Sequence, residues 1–271
     1  MKYFDRLCII DISPDLRIQD LKIKFEITKS IKSESNSAKI EIYNLSQNTR
    51  KRIVSDQLVK VLAGYKEAYG YIEIGQGDIS DVVHSSSSPD IITTIYTKDG
   101  LKAVRGNVIS LSFDVKTPLS SVLAAIQSKL GLPLKFSGID KTANLKKGYS
   151  FIGSVSTALE DLSTQFNFTW SIQNGQLQIL SKNKGTGKEV VVLSASTGLI
   201  EAPEKKIDSK KDLNSTPDTY KITALLQPQL EVGDNIRIES KFLSGVFLIN
   251  NFTHTGDTRG QEWYTEIEVA R

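Results

Sequence analysis

Two histidines, His84 and His254, and one cysteine, Cys8, are all the imidazole and thiol that this chain of 271 residues contains. A zinc site of the usual ligands, or a nucleophilic triad built on histidine, therefore lacks its parts. Cys8 stands in the apolar run 7–10, where it reads as a buried structural thiol. His254, flanked by Thr253 and Thr255 near a turn, reads as a surface or strand-edge residue. Gly75 and Gly77 lack the third glycine and the following helix of a dinucleotide fingerprint, so they read as a strand ending in a turn. In Gly185-Thr186-Gly187-Lys188 part of a phosphate loop is present, but Lys182 replaces the first glycine and Glu189 the hydroxyl that would hold magnesium.

Carboxylate chemistry asks for less, because glycoside hydrolysis needs only two acids on either side of a cleft. Asp78, Asp81, Asp90, Glu160, Asp161 and Glu262 are the acids from which such a pair would be drawn. Glu160 and Asp161, however, are adjacent on a helical stretch and read as its solvated face. Tyr65, Tyr69, Tyr71 and the two tryptophans read as strand aromatics packed on a core. The lysines at 205, 206, 210 and 211 alternate with Glu204, Asp208 and Asp212, the pattern of a solvated loop. These groups do not converge, so the expectation is a non-enzyme with no catalytic residue, no cofactor and no metal site.

Bulk composition agrees with that. Hydrophobic residues make up 39% and charged residues 24% of the chain, the balance of a globular protein with real cores. A formal charge of +3, from 34 basic and 31 acidic side chains, is too even to bind phosphate backbones by charge alone. The first apolar run is too short for a secretory leader, and no window reaches the ~20 apolar residues of a spanning helix. A soluble protein that is not exported is expected.

Hydrophobic periodicity divides the chain in three. Ile23, Phe25 and Ile27, then Ala38, Ile40 and Ile42, alternate with polar residues and predict two half-buried strands, with 29–37 as the loop between them. Residues 46–54 predict a short helix capped by Ser46. Val59, Val61 and Ala63, then 71–74 and 91–97, predict further strands, and Asp99-Gly100 a tight hairpin turn into 101–104. The middle is different. Leu119, Val122, Leu123, Ile126 and Leu130 fall on one helical face, with Thr117 as N-cap and Gly131 past the end. Val155, Ala158, Leu159, Leu162 and Phe166 repeat that pattern at a constant separation, with Ser154 as N-cap.

The match continues from Leu132, Leu134 and Phe136 to Phe168, Trp170 and Ile172, and from Phe113 and Val115 to Tyr149 and Phe151. A duplicated strand-helix-strand unit with its helices on one face follows, extended by an Asn174-Gly175 turn into one more strand. From Lys182 the chain turns polar, 201–218 reads as a mobile loop, and 220–225, 235–239, 246–252 and 263–269 read as strands. The fold class is α+β, mainly β: two small β-barrel-like domains, 1–106 and 184–271, flanking an α/β insert, 107–183. Whether the first and last thirds share a sheet is left open.

Residues 36–65, with "SAKIEIYNLSQNTR" and then "VKVLAGY", resemble the amino-terminal barrel of phage baseplate hub proteins. The run "LQPQLEVGDNIRIES…GVFLINNFTHTGDTRGQEWYTEIEVAR" resembles the final barrel of that family, and the duplicated helix its inserted α/β domain. The resemblance implies a structural subunit of the virion tail baseplate, assembled in the host cytoplasm. It implies a homotrimeric ring with two similar barrels per subunit, adapting a sixfold tail tube to a threefold central spike and leaving a channel for the genome. Its implied partners are the tail tube protein, the central spike protein and baseplate wedge proteins, with no membrane and with DNA only in passage. Two other readings stand beside it: a tail enzyme that degrades surface polysaccharide with paired carboxylates, and a ring-forming secretion-system module.

Overall fold

A computed structural model describes residues 5–33, 35–68, 70–140, 142–182, 185–206 and 218–271. The first third is β as expected: β1 (Arg6–Ile12), β2 (Leu16–Ile18), β3 (Ile23–Ser30), β4 (Ser37–Tyr43), β5 (Leu58–Tyr65), β6 (Gly70–Ser87) and β7 (Asp90–Lys98). Alternation works as written in the sequence, since Ile23, Phe25, Ile27, Ile40, Ile42, Val59, Val61 and Ala63 are all buried in one core. The short helix α1 (Gln47–Arg52) is capped as expected, the Ser46 hydroxyl accepting from the Thr49 amide at 3.1 Å.

Three expectations fail here. Residues 101–104 form a helical turn, α2 (Leu101–Val104), with Gly100 left-handed before it, so Asp99-Gly100 makes no hairpin. Lys29 belongs to β3 and not to the following loop. Gly75 and Gly77 do not end a strand, because β6 runs through both. A Cβ at Gly75 would lie 2.9 Å from the Ile27 side chain and one at Gly77 2.9 Å from the Lys98 backbone. These glycines let the Ile27 side chain and the Lys98 backbone approach β6 closely.

In the middle third, β8 (Val108–Phe113), α3 (Leu119–Leu130), β9 (Leu134–Ser137), β10 (Tyr149–Ser154), α4 (Val155–Phe166), β11 (Phe168–Gln173) and β12 (Gln176–Ser181) follow in order. The two helices begin and end at corresponding positions, and their repeated apolar faces meet in one core. Gly131 and Asn167 close them in left-handed conformation. Pro118, not Thr117, is the N-cap of α3; Thr117 instead donates its hydroxyl to the Asp114 carbonyl. The repeat of strands is less regular than the sequence implies. Tyr149 and Phe113, expected to be equivalent, are cross-strand partners in a two-stranded sheet of β8 and β10, and Val115 is exposed beyond the end of β8. A second sheet, β11-β12-β9, turns at Asn174-Gly175, where both residues have the positive φ that a two-residue hairpin requires.

The last third holds β13 (Glu189–Ser194), β14 (Glu204–Lys205), β15 (Thr219–Leu225), β16 (Asn235–Glu239), β17 (Ser244–Asp257) and β18 (Trp263–Ala270). β13 lies in the stretch read as merely polar, and it pairs parallel with β16. The mobile-loop expectation falls mostly on residues outside the described ones, as do Tyr69, Asp208, Lys210, Lys211 and Asp212.

One sheet contains both ends of the chain. Its path runs β14-β15-β18-β17-β3-β4-β7-β6-β5-β1-β2, and no ladder among the described residues joins its two ends, so neither flank closes into a barrel by hydrogen bonding. The reason is that β17 gives its second half, 251–257, to β3 of the opposite flank. No described helix is long and apolar enough to cross a membrane.

A second duplication, invisible in the sequence, appears in this sheet. β4-β7-β6-β5 and β15-β18-β17-β16 have the same strand order and the same antiparallel connections. The register of β6 on β7 shifts between Ile79 and Asp81, and that of β17 on β18 between Ile249 and Asn251. Ile79 exchanges backbone bonds with Asp56 and Gln57, as Ile249 does with Gly233 and Asp234. His84 Nδ1 lies 3.1 Å from Thr93 Oγ1, and His254 Nδ1 lies 2.8 Å from Thr265 Oγ1. The two histidines occupy the same place in the two copies.

Candidate functional site

The groups weighed for chemistry are scattered. Asp78 is buried and accepts from the Lys102 amide at 3.0 Å. Asp81 is exposed on the far part of β6, while Asp90, at the β6–β7 turn, accepts from Asn44 at 2.8 Å. Glu160 and Asp161 lie on the outer side of α4, where Glu160 accepts from the Trp170 indole at 3.2 Å. Glu262 lines a shallow cleft of about 400 Å³ with Lys24, Glu26, Lys39, Glu41 and Glu266. There Lys39 pairs with Glu41 at 2.6 Å, Lys24 with Asp257 at 3.4 Å and Glu266 with Lys221 at 2.6 Å. The structure brings together only Glu160 and Asp161, which are chain neighbours. No cluster of three or more metal-ligating side chains occurs among the described residues.

The phosphate-loop look-alike is a clasp. Thr186 donates its amide to the Gly233 carbonyl at 2.7 Å and its hydroxyl to Asp234, and a Cβ at Gly185 would meet the Gly233 oxygen. Cys8 is buried, and desolvation pushes its thiol up to about 12. His254 is not a surface residue. It is fully buried between β3 and β18, and burial, with Lys29 adding, lowers it to about 3, so its imidazole is neutral. Tyr65, Trp170 and Trp263 are buried, Trp263 edge-on to Phe25 at 5.4 Å, and Tyr71 is exposed. No aromatic platform forms from them.

A polar socket that the sequence reading missed holds the insert to the sheet. Lys29, at the end of β3, is buried and donates to Asn174 Oδ1 at 2.8 Å. Asn36 donates to the Ile172 carbonyl at 2.8 Å and to Gln173 Oε1 at 2.7 Å, and Gln173 Nε2 returns a bond to the Ser30 carbonyl at 2.8 Å. Asp99 receives the Gly175 amide at 2.9 Å. Burial lowers the Lys29 pKa and raises that of Asp99. The socket thus clamps the β11–β12 turn with directional bonds, beside a cavity of about 60 Å³ lined by Lys29, Lys135, Gln178 and Glu231. Most of its groups are engaged in holding the turn, while Asp99 Oδ2 and, in the adjoining cavity, Gln178 Oε1 are buried without a hydrogen-bond partner.

Among the described residues, the far part of β6 beyond Ile79 pairs with β7 on one side only, leaving 80–87 as an edge without lysine or proline. At one end of the sheet the margin is β14, two residues long, with the segment from 198 leading into it. Beside that segment lies an open cavity of about 570 Å³ lined by Leu199, Ile200, Ala202 and Phe242 among others.

A family model described as baseplate hub gp41 matches residues 9–269. The chain belongs to the baseplate hub gp41 family. It is therefore a phage tail protein of the baseplate, the reading that the barrel motifs had suggested. Solved structures share its fold at low identity. The 43 kDa tail protein of prophage MuSo2 from Shewanella oneidensis is similar with a TM-score of 0.74 at 12% identity, over 98% of this chain and 97% of that one. A tail protein from Neisseria meningitidis MC58 gives 0.74 at 11% identity, over 99% and 97%. The E. coli c3393 protein, a component of the type VI secretion system, gives 0.68 at 12% identity, over 97% and 76%. No curated protein sequence matches the chain.

Proposed function

We propose that the chain is a purely structural hub subunit, three copies of which join head to tail in a ring. The observation that carries this reading is the duplicated four-strand unit. Two like units per chain give a ring of three chains a pseudo-sixfold face, suited to a sixfold tail tube, while the chain itself keeps threefold symmetry for a central spike. Two different edges, that of β14 and that of the far part of β6, are what a heterologous interface requires, and heterologous contacts close when the rotation allows. The ring leaves a channel through which genome DNA passes without being bound in place.

In this reading the modules are 1–106, 107–183 and 184–271, the two flanks forming the ring and the insert reaching towards the wedge proteins. Assembly takes place in the host cytoplasm, and no membrane, cofactor or turnover is involved. Six dispersed acids give little support to a polysaccharide-degrading mechanism, and no observation favours a separate secretion-system role.

Sedimentation of the chain alone and with the tube and spike subunits tests the proposal. The expected species is a trimer, alone or on the spike. A monomer throughout the micromolar range that also binds neither subunit would end it.

A further inference from the structure

The socket under the β11–β12 turn brings an amine, a carboxamide and a carboxyl group together inside the protein. Lys29 and Asp99 are only 3% and 1% exposed. Lys29 donates to Asn174 Oδ1 at 2.8 Å, and Asp99 accepts the amide of the next residue, Gly175, at 2.9 Å. The other oxygen of Asp99 is buried without a hydrogen-bond partner, so the acid has capacity to spare. The bonds from Asn36 to the Ile172 carbonyl and to Gln173 hold the turn, and with it Asn174, against Lys29.

Lys29 and Asp99 both depart from their ordinary states in the direction that acyl transfer needs. Burial lowers the Lys29 pKa, against the opposing charges of Asp99, Glu231 and Glu73, and burial raises that of Asp99, against its bond from Gly175 and the charge of Lys29. A proton passed from Lys29 to Asp99 removes two charges from the interior and leaves a free amine beside a neutral acid. The backbone nitrogen of Gly175, which in an Asn-Gly pair competes for the same side chain by closing a cyclic imide, is tied to Asp99.

We propose that Lys29 and Asn174 become joined by an isopeptide bond that the chain forms on itself. The lone pair of Lys29 Nζ attacks Asn174 Cγ and makes the new C–N bond, while the carbonyl π pair moves onto Oδ1. Asp99 gives its proton to Nδ2 and takes one back from Nζ. The pair on Oδ1 then re-forms the carbonyl, the Cγ–Nδ2 bond breaks, and ammonia leaves. One amine and one primary amide give one secondary amide and one ammonia, so the step needs no further reactant and Asp99 ends as it began. The cavity of about 60 Å³, which Lys29 and Asn174 both line, lies next to the departing group. The bond ties the end of β3 to the turn of the insert and makes their docking irreversible. It does not depend on the ring reading.

Peptide mapping of the purified full-length chain by mass spectrometry is the test. The expected result is an intact mass lighter than the sequence by one ammonia, no tryptic cut after Lys29, and one branched species that contains both Lys29 and Asn174. Asp99→Asn is expected to slow the linkage at least tenfold, leaving full-mass chains, and Lys29→Met to abolish the loss of ammonia. A wild-type chain of full mass, with Lys29 and Asn174 in separate unmodified peptides, leaves a hydrogen bond only and overturns the proposal, whether or not either variant folds. Loss of ammonia that persists in Lys29→Met marks a cyclic imide with Gly175 and overturns it equally. A link that forms as fast in Asp99→Asn overturns the part given to Asp99.

Discussion

His254 shows how one residue's meaning depends on what covers it. Its neighbours in sequence are threonines, which suggested exposure, yet β3 crosses it and excludes water. Its pKa drops to about 3 from an ordinary value near 6.5. Unfolding returns the ring to water, so between these values the unfolded chain binds a proton that the native chain refuses. Its contribution is therefore complete above about pH 6.5 and is lost as pH falls towards 3, at roughly 1.4 kcal/mol per unit. Urea midpoints measured from pH 7 to pH 4 should fall along this slope, and His254→Gln should flatten it. Cys8 makes a simpler case: with its thiol buried and its pKa raised, alkylation should be undetectable in the native chain and rapid in denaturant.

Among the elements, the helices were the most legible. A strict apolar stripe with a Ser cap or a Gly stop fixes a helix by local chemistry, and α3 and α4 lie within a residue of where their patterns place them. Leu123→Ala, in the middle of this shared core, should cost about 2–5 kcal/mol by thermal or urea unfolding. The socket under the β11–β12 turn was not legible, because Lys29, Asn36, Asp99 and Asn174 are far apart in sequence and each by itself is an ordinary loop residue. Asn36→Ala leaves the Ile172 carbonyl and Gln173 without their donor. A loss of about 1–3 kcal/mol is expected. Hydrogen exchange should show it first at residues 172–176, ahead of the helices.

At the scale of the molecule, the β3–β17 ladder makes one body of two distant ends. Phe25 is its apolar counterpart: it packs on Trp263, and a Cβ at Gly256 would meet its ring. Phe25→Ala should cost about 3–5 kcal/mol and broaden the unfolding transition as the flanks lose their coupling, a change that calorimetry reads directly. The sequence by itself determined the class, the duplicated helices and most strands, because alternation, helical periodicity and turn residues act over a few neighbouring positions. Only the tertiary structure decided that the outer thirds share an open sheet, that β14 stands to β15 as β3 to β4, and that His84 and His254 are counterparts. Strand pairing is a contact between residues far apart in the chain, whose partners leave no mark on local pattern, and two copies of a ladder can keep their geometry after their side chains have ceased to match.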